Sequence, residues 1–150
     1  MKIRVEINEH IDEGEIVIRC RENTEQIERI IKSANEIIAS EQTVAFYKGS
    51  ETFYFGLSEV LFFETEGENI YAHTAADAFL VRYRLYELEQ KLPRWFIRVS
   101  KSAIINVRQV LSVNRNLTAS SAVRFHGSYK QVYVSRFYFK AFKQRLTERG

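Results

Sequence analysis

The chain has 150 residues, of which 45% are hydrophobic and 27% charged, with six glycines and one proline. This length predicts one domain, or one domain with a small appendage, and the apolar content excludes wholesale disorder. The single cysteine, Cys20, excludes a disulfide framework and a thiolate metal site. The first residues lack the apolar block of a signal peptide, and no uncharged run reaches the roughly 18 residues of a membrane span. We therefore expect a cytoplasmic protein.

Charge divides the chain into two unlike parts. Residues 1–89 contain 9 Lys/Arg and 18 Asp/Glu, whereas residues 90–150 contain 13 Lys/Arg and one acid, so the balances are −9 and +12. Such segregation predicts that the C-terminal part faces a polyanion. The alternatives are a basic surface that is merely solvated, or one that pairs with the acidic part.

Residues 1–42 are predicted to form a small β-β-α unit. Residues 2–7 alternate between apolar and polar side chains, as a half-buried strand does, and a second apolar run follows at residues 16–20. Asn23 or Thr24 is placed to cap a helix. That helix carries apolar residues at helical spacing: Ile27, Ile30, Ile31, Ala34, Ile37 and Ile38. We interpret the unit as a dimerisation or regulatory segment.

Residues 43–150 are predicted to form a second, mainly β domain with short helices. Short apolar runs are separated by turn residues about every ten positions, which is typical of small antiparallel sheets. The expected strands are 44–47, 52–55, 60–63, 70–73, 79–82, 96–99, 109–113, 123–125 and 131–134. Leucines at helical spacing predict one short helix before Pro93, and a C-terminal helix is expected after Ser135.

The sequence lacks the motifs of an enzyme or of a cofactor site. The glycines are isolated, so no phosphate-binding loop is present, and the three histidines have no ligand-spaced partners. Glu64, Glu66 and Glu68 are close in sequence, as acid/base or metal carboxylates would be, but a solvated loop is the preferred interpretation. We expect no catalytic activity, no metal and no cofactor.

Three short segments place polar donors between apolar anchors. They are Ser100-Lys101-Ser102, the strand end Val134-Ser135-Arg136, and the turn Gly67-Glu68-Asn69. Hydroxyl, ammonium, guanidinium and amide groups are the donors that phosphate oxygens and base edges accept from. Together with the positive charge, these segments predict that the chain binds nucleic acid.

The same region resembles a known family. Residues 96–106, FIRVSKSAIIN, resemble the F-x-R-x-H-[RK]-S-x-[IVL]-[IV]-N signature of the LytTR family of bacterial DNA-binding domains. Three further family motifs occur in the right order, as VLFFET at 60–65, LYELEQKL at 85–92 and VYVSR at 132–136. The resemblance covers about residues 44–147, which is two-thirds of the chain.

The resemblance implies an elongated arrangement of small antiparallel sheets that inserts loops into successive major grooves of double-stranded DNA. Carried over by position, the DNA contacts are Arg98, Ser100 and Lys101 in the signature loop and Arg136 after the last strand. Asn69 falls in the family's other contact loop.

Neighbouring residues are given other roles. Ser102 and Asn106 match positions that we interpret as structural. Ser100 replaces the usual histidine of the signature, and so short a side chain favours contact with a phosphate over a base. Trp95 and the aromatic cluster that begins at Phe137 are able to stack on bases, but packing in the core is the preferred interpretation.

The sequence therefore predicts a sequence-specific, double-stranded DNA-binding transcriptional regulator. Residues 1–42 are too few for a receiver domain, so the resemblance is to stand-alone LytTR regulators, whose family pattern includes inhibition by a membrane protein. A homodimer would suit tandem half-sites about one helical turn apart. No small-molecule substrate is expected.

Two alternatives from other classes stay open. A protein that binds single-stranded nucleic acid or RNA would use the aromatic rings as stacking platforms. A protein-interaction or sensing module would use the basic surface against an acidic partner and would not bind nucleic acid.

Overall fold

The structure, a computed structural model, describes residues 1–11, 14–41, 44–115 and 120–149, without the side chains of residues 39–41. The helices are α1 (Glu25–Glu41), α2 (Leu85–Lys91) and α3 (Arg136–Glu148). The strands are β1 (Phe46–Lys48), β2 (Glu51–Phe53), β3 (Phe62–Glu66), β4 (Asn69–His73), β5 (Ala78–Val81), β6 (Phe96–Ser100), β7 (Ala103–Asn106), β8 (Val110–Asn114), β9 (Ser121–Phe125) and β10 (Gln131–Val134). The predicted fold class, mainly β with short helices, is confirmed.

The larger sheet contains, among the described residues, seven antiparallel strands in the order β2-β1-β5-β4-β3-β7-β6. The turns of the β1–β2 and β3–β4 hairpins contain Gly49 and Gly67 with φ of 61° and 62°, a conformation that residues with a Cβ rarely adopt. Strand β7, which was interpreted only as an apolar stretch, pairs with both β3 and β6. It therefore lies inside the sheet.

The central strands of this sheet are buried on both faces. Phe63 and Ile104 belong to one core, which α2 helps to cover, whereas Phe62 and Ile105 belong to a second core on the opposite face. Strands that are buried on both sides read as continuous apolar runs, because neither set of alternating side chains faces water. This explains the FF and II pairs in the sequence.

A smaller sheet and the C-terminal helix enclose the second core. Strands β10, β9 and β8 form a three-stranded antiparallel sheet within the described residues. Phe125 of β9 and Phe142 of α3 are fully buried in that core. Ser135 precedes α3 as expected, but its hydroxyl makes no capping hydrogen bond.

The two N-terminal strands of the predicted β-β-α unit are not formed. The described residues before α1 contain no strand, and Ile3, Val5 and Ile7 are 95%, 76% and 93% exposed. Alternation produces a strand only where a second strand accepts and donates the backbone hydrogen bonds. The described part of the chain offers no such strand to residues 2–7.

The predicted N-terminal helix is confirmed. Thr24 Oγ1 accepts a hydrogen bond from the backbone N–H of Ile27 at 3.4 Å, as an N-cap does. Ile27 is buried, but Ile30 and Ile31 are 36% and 37% exposed, so the apolar face of α1 is only partly covered. The predicted domain boundary at residues 42–43 lies outside the described residues. None of the described helices is long and apolar enough to cross a membrane.

Candidate nucleic-acid interface

A tight loop, residues 100–102, joins β6 to β7. Ser100 Oγ accepts a hydrogen bond from the backbone N–H of Ser102 at 3.1 Å and lies 3.2 Å from the Ser102 hydroxyl oxygen. Lys101 is exposed between them, and its ammonium has no hydrogen-bond or ion-pair partner among the described residues. The loop therefore presents a free cation on a backbone that its own hydroxyls hold in place.

Arg98 is turned into this loop. Its Nε donates to the carbonyl oxygen of Ser100 at 2.7 Å, and its Nη2 donates to the carbonyl oxygen of Lys101 at 2.6 Å. Its Nη1 donates to Glu89 Oε1 of α2, also at 2.6 Å. The Arg98 side chain is only 21% exposed. The arrangement supports the loop from within, whereas the sequence predicts that Arg98 contacts DNA.

A backbone hydrogen bond brings Arg136 to the same region. The N–H of Ser135 donates to the carbonyl oxygen of Val99 at 2.8 Å, which joins the end of β10 to the end of β6. Arg136 follows as the first residue of α3, is exposed, and makes no ion pair within the described residues. Two free cations, on Lys101 and Arg136, therefore extend from segments that are bonded to one another.

The β3–β4 hairpin brings Asn69 to this end of the sheet. The N–H of Thr65 donates to the carbonyl oxygen of Ser102 at 2.8 Å, so the hairpin turn lies beyond the loop. Asn69 is exposed at the start of β4. Burial, and secondarily the charge of Glu66, raise the pKa of the Glu64 carboxyl on β3. Because Glu64, Glu66 and Glu68 all lie on this hairpin, it is the acidic side of the candidate interface.

Asn106 has the structural role expected of it. Its side chain is fully buried; Nδ2 donates to the carbonyl oxygen of Val60, and Oδ1 accepts from the backbone N–H of Arg108, both at 2.9 Å. These bonds join the end of β7 to the segment that leads into β3. Ser102 likewise bonds within the loop.

The aromatic residues divide between core and surface. Phe96 is buried, and Trp95 lies under the guanidinium of Arg108 at 4.6 Å from ring centroid to Cζ. Phe137, next to Arg136, is 87% exposed. For Phe137 the interpretation as a core residue is wrong, because as the second residue of α3 it lies on the side away from Phe142.

A polar cluster that the sequence analysis did not find joins the two sheets. Lys130, which precedes β10, donates through Nζ to the carbonyl oxygen of Asp77 at 2.6 Å and lies 3.2 Å from Nδ1 of His73. The His73 ring stacks on Phe62 with 4.4 Å between centroids. Burial, helped by the charge of Lys130, lowers the pKa of His73 to about 4. The neutral imidazole can accept from the ammonium.

The stability of the fold is expected to fall as the pH is lowered from about 6.5 to 4. The folded-state pKa of His73 lies below the ordinary value of 6.5, so the unfolded chain binds a proton at a higher pH than the folded chain does. The contribution of neutral His73 to the free energy of unfolding is therefore complete only above pH 6.5 and is lost as the pH falls towards 4. The full shift corresponds to about 3 kcal/mol, and because the ring is only half-buried, solvent screening reduces the expected loss to on the order of 1–2 kcal/mol. Urea unfolding of the wild type and of His73→Gln at pH 7 and pH 4.5 measures it. An equal loss in both proteins would contradict this role of His73.

The fold and the site together define a class of protein. It is a domain of antiparallel sheets in which a loop and the start of a helix, carrying the free cations of Lys101 and Arg136, lie close together. The sequence profile of the LytTr DNA-binding domain matches residues 50–147. The chain belongs to the LytTR family of DNA-binding domains, as its motifs predict. Its function is therefore that of a DNA-binding protein.

Similar proteins span nearly the whole chain. Uncharacterised HTH-type transcriptional regulators of Staphylococcus aureus strains NCTC 8325 and COL are 32% identical over 148 residues, which covers 98% of this chain and 99% of theirs. A LytTr DNA-binding domain of a methyl-accepting/DNA response regulator from Bacillus cereus has a TM-score of 0.62 and 22% identity, covering 69% of this chain and 97% of its own. The described helices of the present chain are separated by strands, so no helix-turn-helix occurs among them.

Proposed function

We propose that the chain is a transcriptional regulator that recognises specific sequences in double-stranded DNA. The observation that carries the proposal is the convergence of the loop 100–102 and the start of α3, each with an unpaired exposed cation, through the Ser135–Val99 hydrogen bond. Phosphate contacts would supply most of the affinity, and a guanidinium with two parallel donors suits the major-groove edge of guanine. Similarity to regulators along the full chain supports the regulatory role.

The proposed contacts are Lys101, Arg136, Asn69 and Ser100, with unequal roles. Lys101 and Arg136 have free donors and are assigned to phosphate and base. Asn69 is exposed on the acidic hairpin and is assigned to a base edge. A neutral base edge is not repelled by the nearby carboxylates, whereas an anionic phosphate is. The Ser100 hydroxyl is engaged by Ser102, so it contributes mainly through the shape of the loop.

Arg98 is assigned a positioning role, and Glu89 provides the test. If Arg98 holds the loop, Glu89→Ala removes one of the three hydrogen bonds that fix the guanidinium and weakens duplex binding by roughly 3- to 10-fold, because a lost charge-assisted hydrogen bond costs about 1 kcal/mol or more. If Arg98 instead contacts DNA, the removal of a competing carboxylate strengthens binding. Filter binding at fixed salt shows whether Glu89→Ala weakens or strengthens duplex binding. Glu51→Ala on β2, an exposed acid without a side-chain partner among the described residues, is the matched control.

The protein acts in the cytoplasm, where its DNA lies, as a homodimer and without catalytic activity or cofactor. Residues 1–42 form the dimerisation or regulatory segment, and residues 43–150 form the DNA-binding domain. A membrane protein as inhibitor is proposed by family resemblance alone.

Selection of bound sequences from random duplexes tests the proposed function. The expected result is one enriched motif, repeated at a spacing of about one helical turn, with an affinity that falls steeply as salt increases. A band-shift with the selected sequence as duplex and as single strands distinguishes the single-strand alternative. Failure to bind any duplex in dilute buffer would favour the protein-interaction module.

A further inference from the structure

The segment of residues 2–7 has the pattern of a strand but no partner in the described chain. Ile3, Val5 and Ile7 alternate with polar residues along it and are 95%, 76% and 93% exposed. Exposing three apolar side chains of one short segment to water is unfavourable, and their burial would recover this free energy. The apolar side of residues 2–7 is therefore suited to bind another apolar segment.

The second apolar run of the same chain, residues 16–20, is poorly suited to be that occupant. In an antiparallel hairpin that pairs Ile7 with Ile16, Arg4 lies opposite Arg19, and like charges directly opposite destabilise a pair of strands. The described residues of the two segments form no such hairpin.

A second copy of the segment complements it in both apolar pattern and charge. When two copies run antiparallel with Val5 opposite Val5, Ile3 faces Ile7 on the apolar side. On the polar side Arg4 faces Glu6, and the two-fold axis repeats each pair. Arg4 and Glu6 already lie on one side of the segment, where they form an exposed ion pair within the single chain. A shift of two residues either way sets Arg4 against Arg4 or Glu6 against Glu6.

Helix α1 supplies the cover that such a ribbon needs. Two strands alone are marginally stable in water unless a helix packs on their apolar face. Ile30, Ile31 and Ile38 of α1 are 36%, 37% and 45% exposed. The helix has four acidic and two basic residues, so DNA is not a suitable occupant of its open face.

We propose that residues 2–7 of two copies pair as a two-stranded antiparallel ribbon with Val5 at its centre. The apolar side of this ribbon is covered by Ile30, Ile31 and Ile38 of both α1 helices. The inference rests on the proposed homodimer and names its surface; it is independent of the assignment of DNA contacts. The ribbon would hold two DNA-binding domains in one particle, which is what tandem half-sites require.

Sedimentation equilibrium of the full chain without DNA tests the surface. The wild type is expected to be a dimer at micromolar concentration. Val5→Glu sets two carboxylates opposite one another at the axis, and Ile30→Glu places a charge in the apolar layer. Each is expected to raise the dimer dissociation constant at least about 10-fold. Because Val5 is 76% exposed in the single chain, thermal unfolding of the Val5→Glu monomer should be unchanged.

An exchange of charges tests the register. Arg4→Glu and Glu6→Arg are each expected to weaken self-association, because each sets like charges opposite one another twice. An equimolar mixture of the two variants is expected to form heterodimers, since every cross-strand pair is then of opposite charge. Native mass spectrometry identifies the heterodimer. Lys2→Glu is the matched control, because Lys2 faces the neutral Asn8 in this register.

Failure of this proposal is distinguishable from failure of the proposed function. A wild-type dimer whose association is unaffected by Val5→Glu, or whose charge variants form no heterodimer, would overturn the ribbon and leave DNA binding standing. A wild-type monomer at all concentrations would overturn both the ribbon and the homodimer. Loss of association in Lys2→Glu equal to that in Arg4→Glu would overturn the register.

Discussion

Replacement of Arg136 by alanine is expected to weaken binding of the selected duplex by roughly 5- to 150-fold and to relax sequence preference at one position. The loss corresponds to about 1–3 kcal/mol, the discrimination that one good contact between guanidinium and guanine provides. Lys101→Ala should instead weaken binding to all duplexes alike and reduce the salt slope by about one, as the loss of a phosphate contact does. Titrations of matched and mismatched duplexes at several salt concentrations separate the two.

The matched control for both variants is Lys140→Ala. Lys140 is an exposed cation on α3, without a side-chain partner among the described residues, and it lies one turn beyond Arg136. It should change nonspecific affinity a little and specificity not at all. Unchanged binding in both Arg136→Ala and Lys101→Ala, in proteins with the wild-type melting temperature, would discard the assignment of the interface.

Asn106→Ala is expected to cost the fold about 2–4 kcal/mol. The substitution leaves the carbonyl oxygen of Val60 without a partner at a buried position, and it removes the hydrogen bond to the part-buried backbone N–H of Arg108. Each unsatisfied buried group costs about 1–3 kcal/mol. The free energy of unfolding from urea titration, with an unchanged slope, measures the loss.

The exposed amide of Asn114 on β8 offers the comparison. Asn114→Ala should change stability by less than about 0.5 kcal/mol, because water already solvates this side chain. A loss of similar size in the two variants would contradict the proposed stabilising role of the Asn106 hydrogen bonds. Because Asn106 ends the strand that follows the loop, Asn106→Ala should also weaken DNA binding near its unfolding midpoint.

The sequence predicted most strands after residue 43 because turn residues interrupt short apolar runs there. Gly49 and Gly67 punctuate hairpins that the structure confirms. Strand β7 was missed because its side chains are buried on both faces, which removes the alternation by which a strand is recognised. At residues 2–7 alternation is present, but the described chain provides no partner, so local pattern alone overestimates structure.

The candidate site was predictable in its position but not in the roles of its residues. Lys101 and Arg136 are 35 positions apart, and only the family's motifs associated them before the Ser135–Val99 hydrogen bond was seen. Spacing places Arg98 in the same loop, but it does not reveal that the guanidinium is bonded to the loop's carbonyl oxygens and to Glu89.

By itself, the sequence determined the family, the mainly β class, and the separation of an acidic from a basic part, because motifs, turn residues and charge are properties of short stretches of chain. Tertiary structure alone decided which donors remain free and which are used internally. It also joined Lys130 to His73 across 57 positions. Hydrogen bonds and burial between distant segments depend on how the sheets pack, and no local pattern encodes that packing.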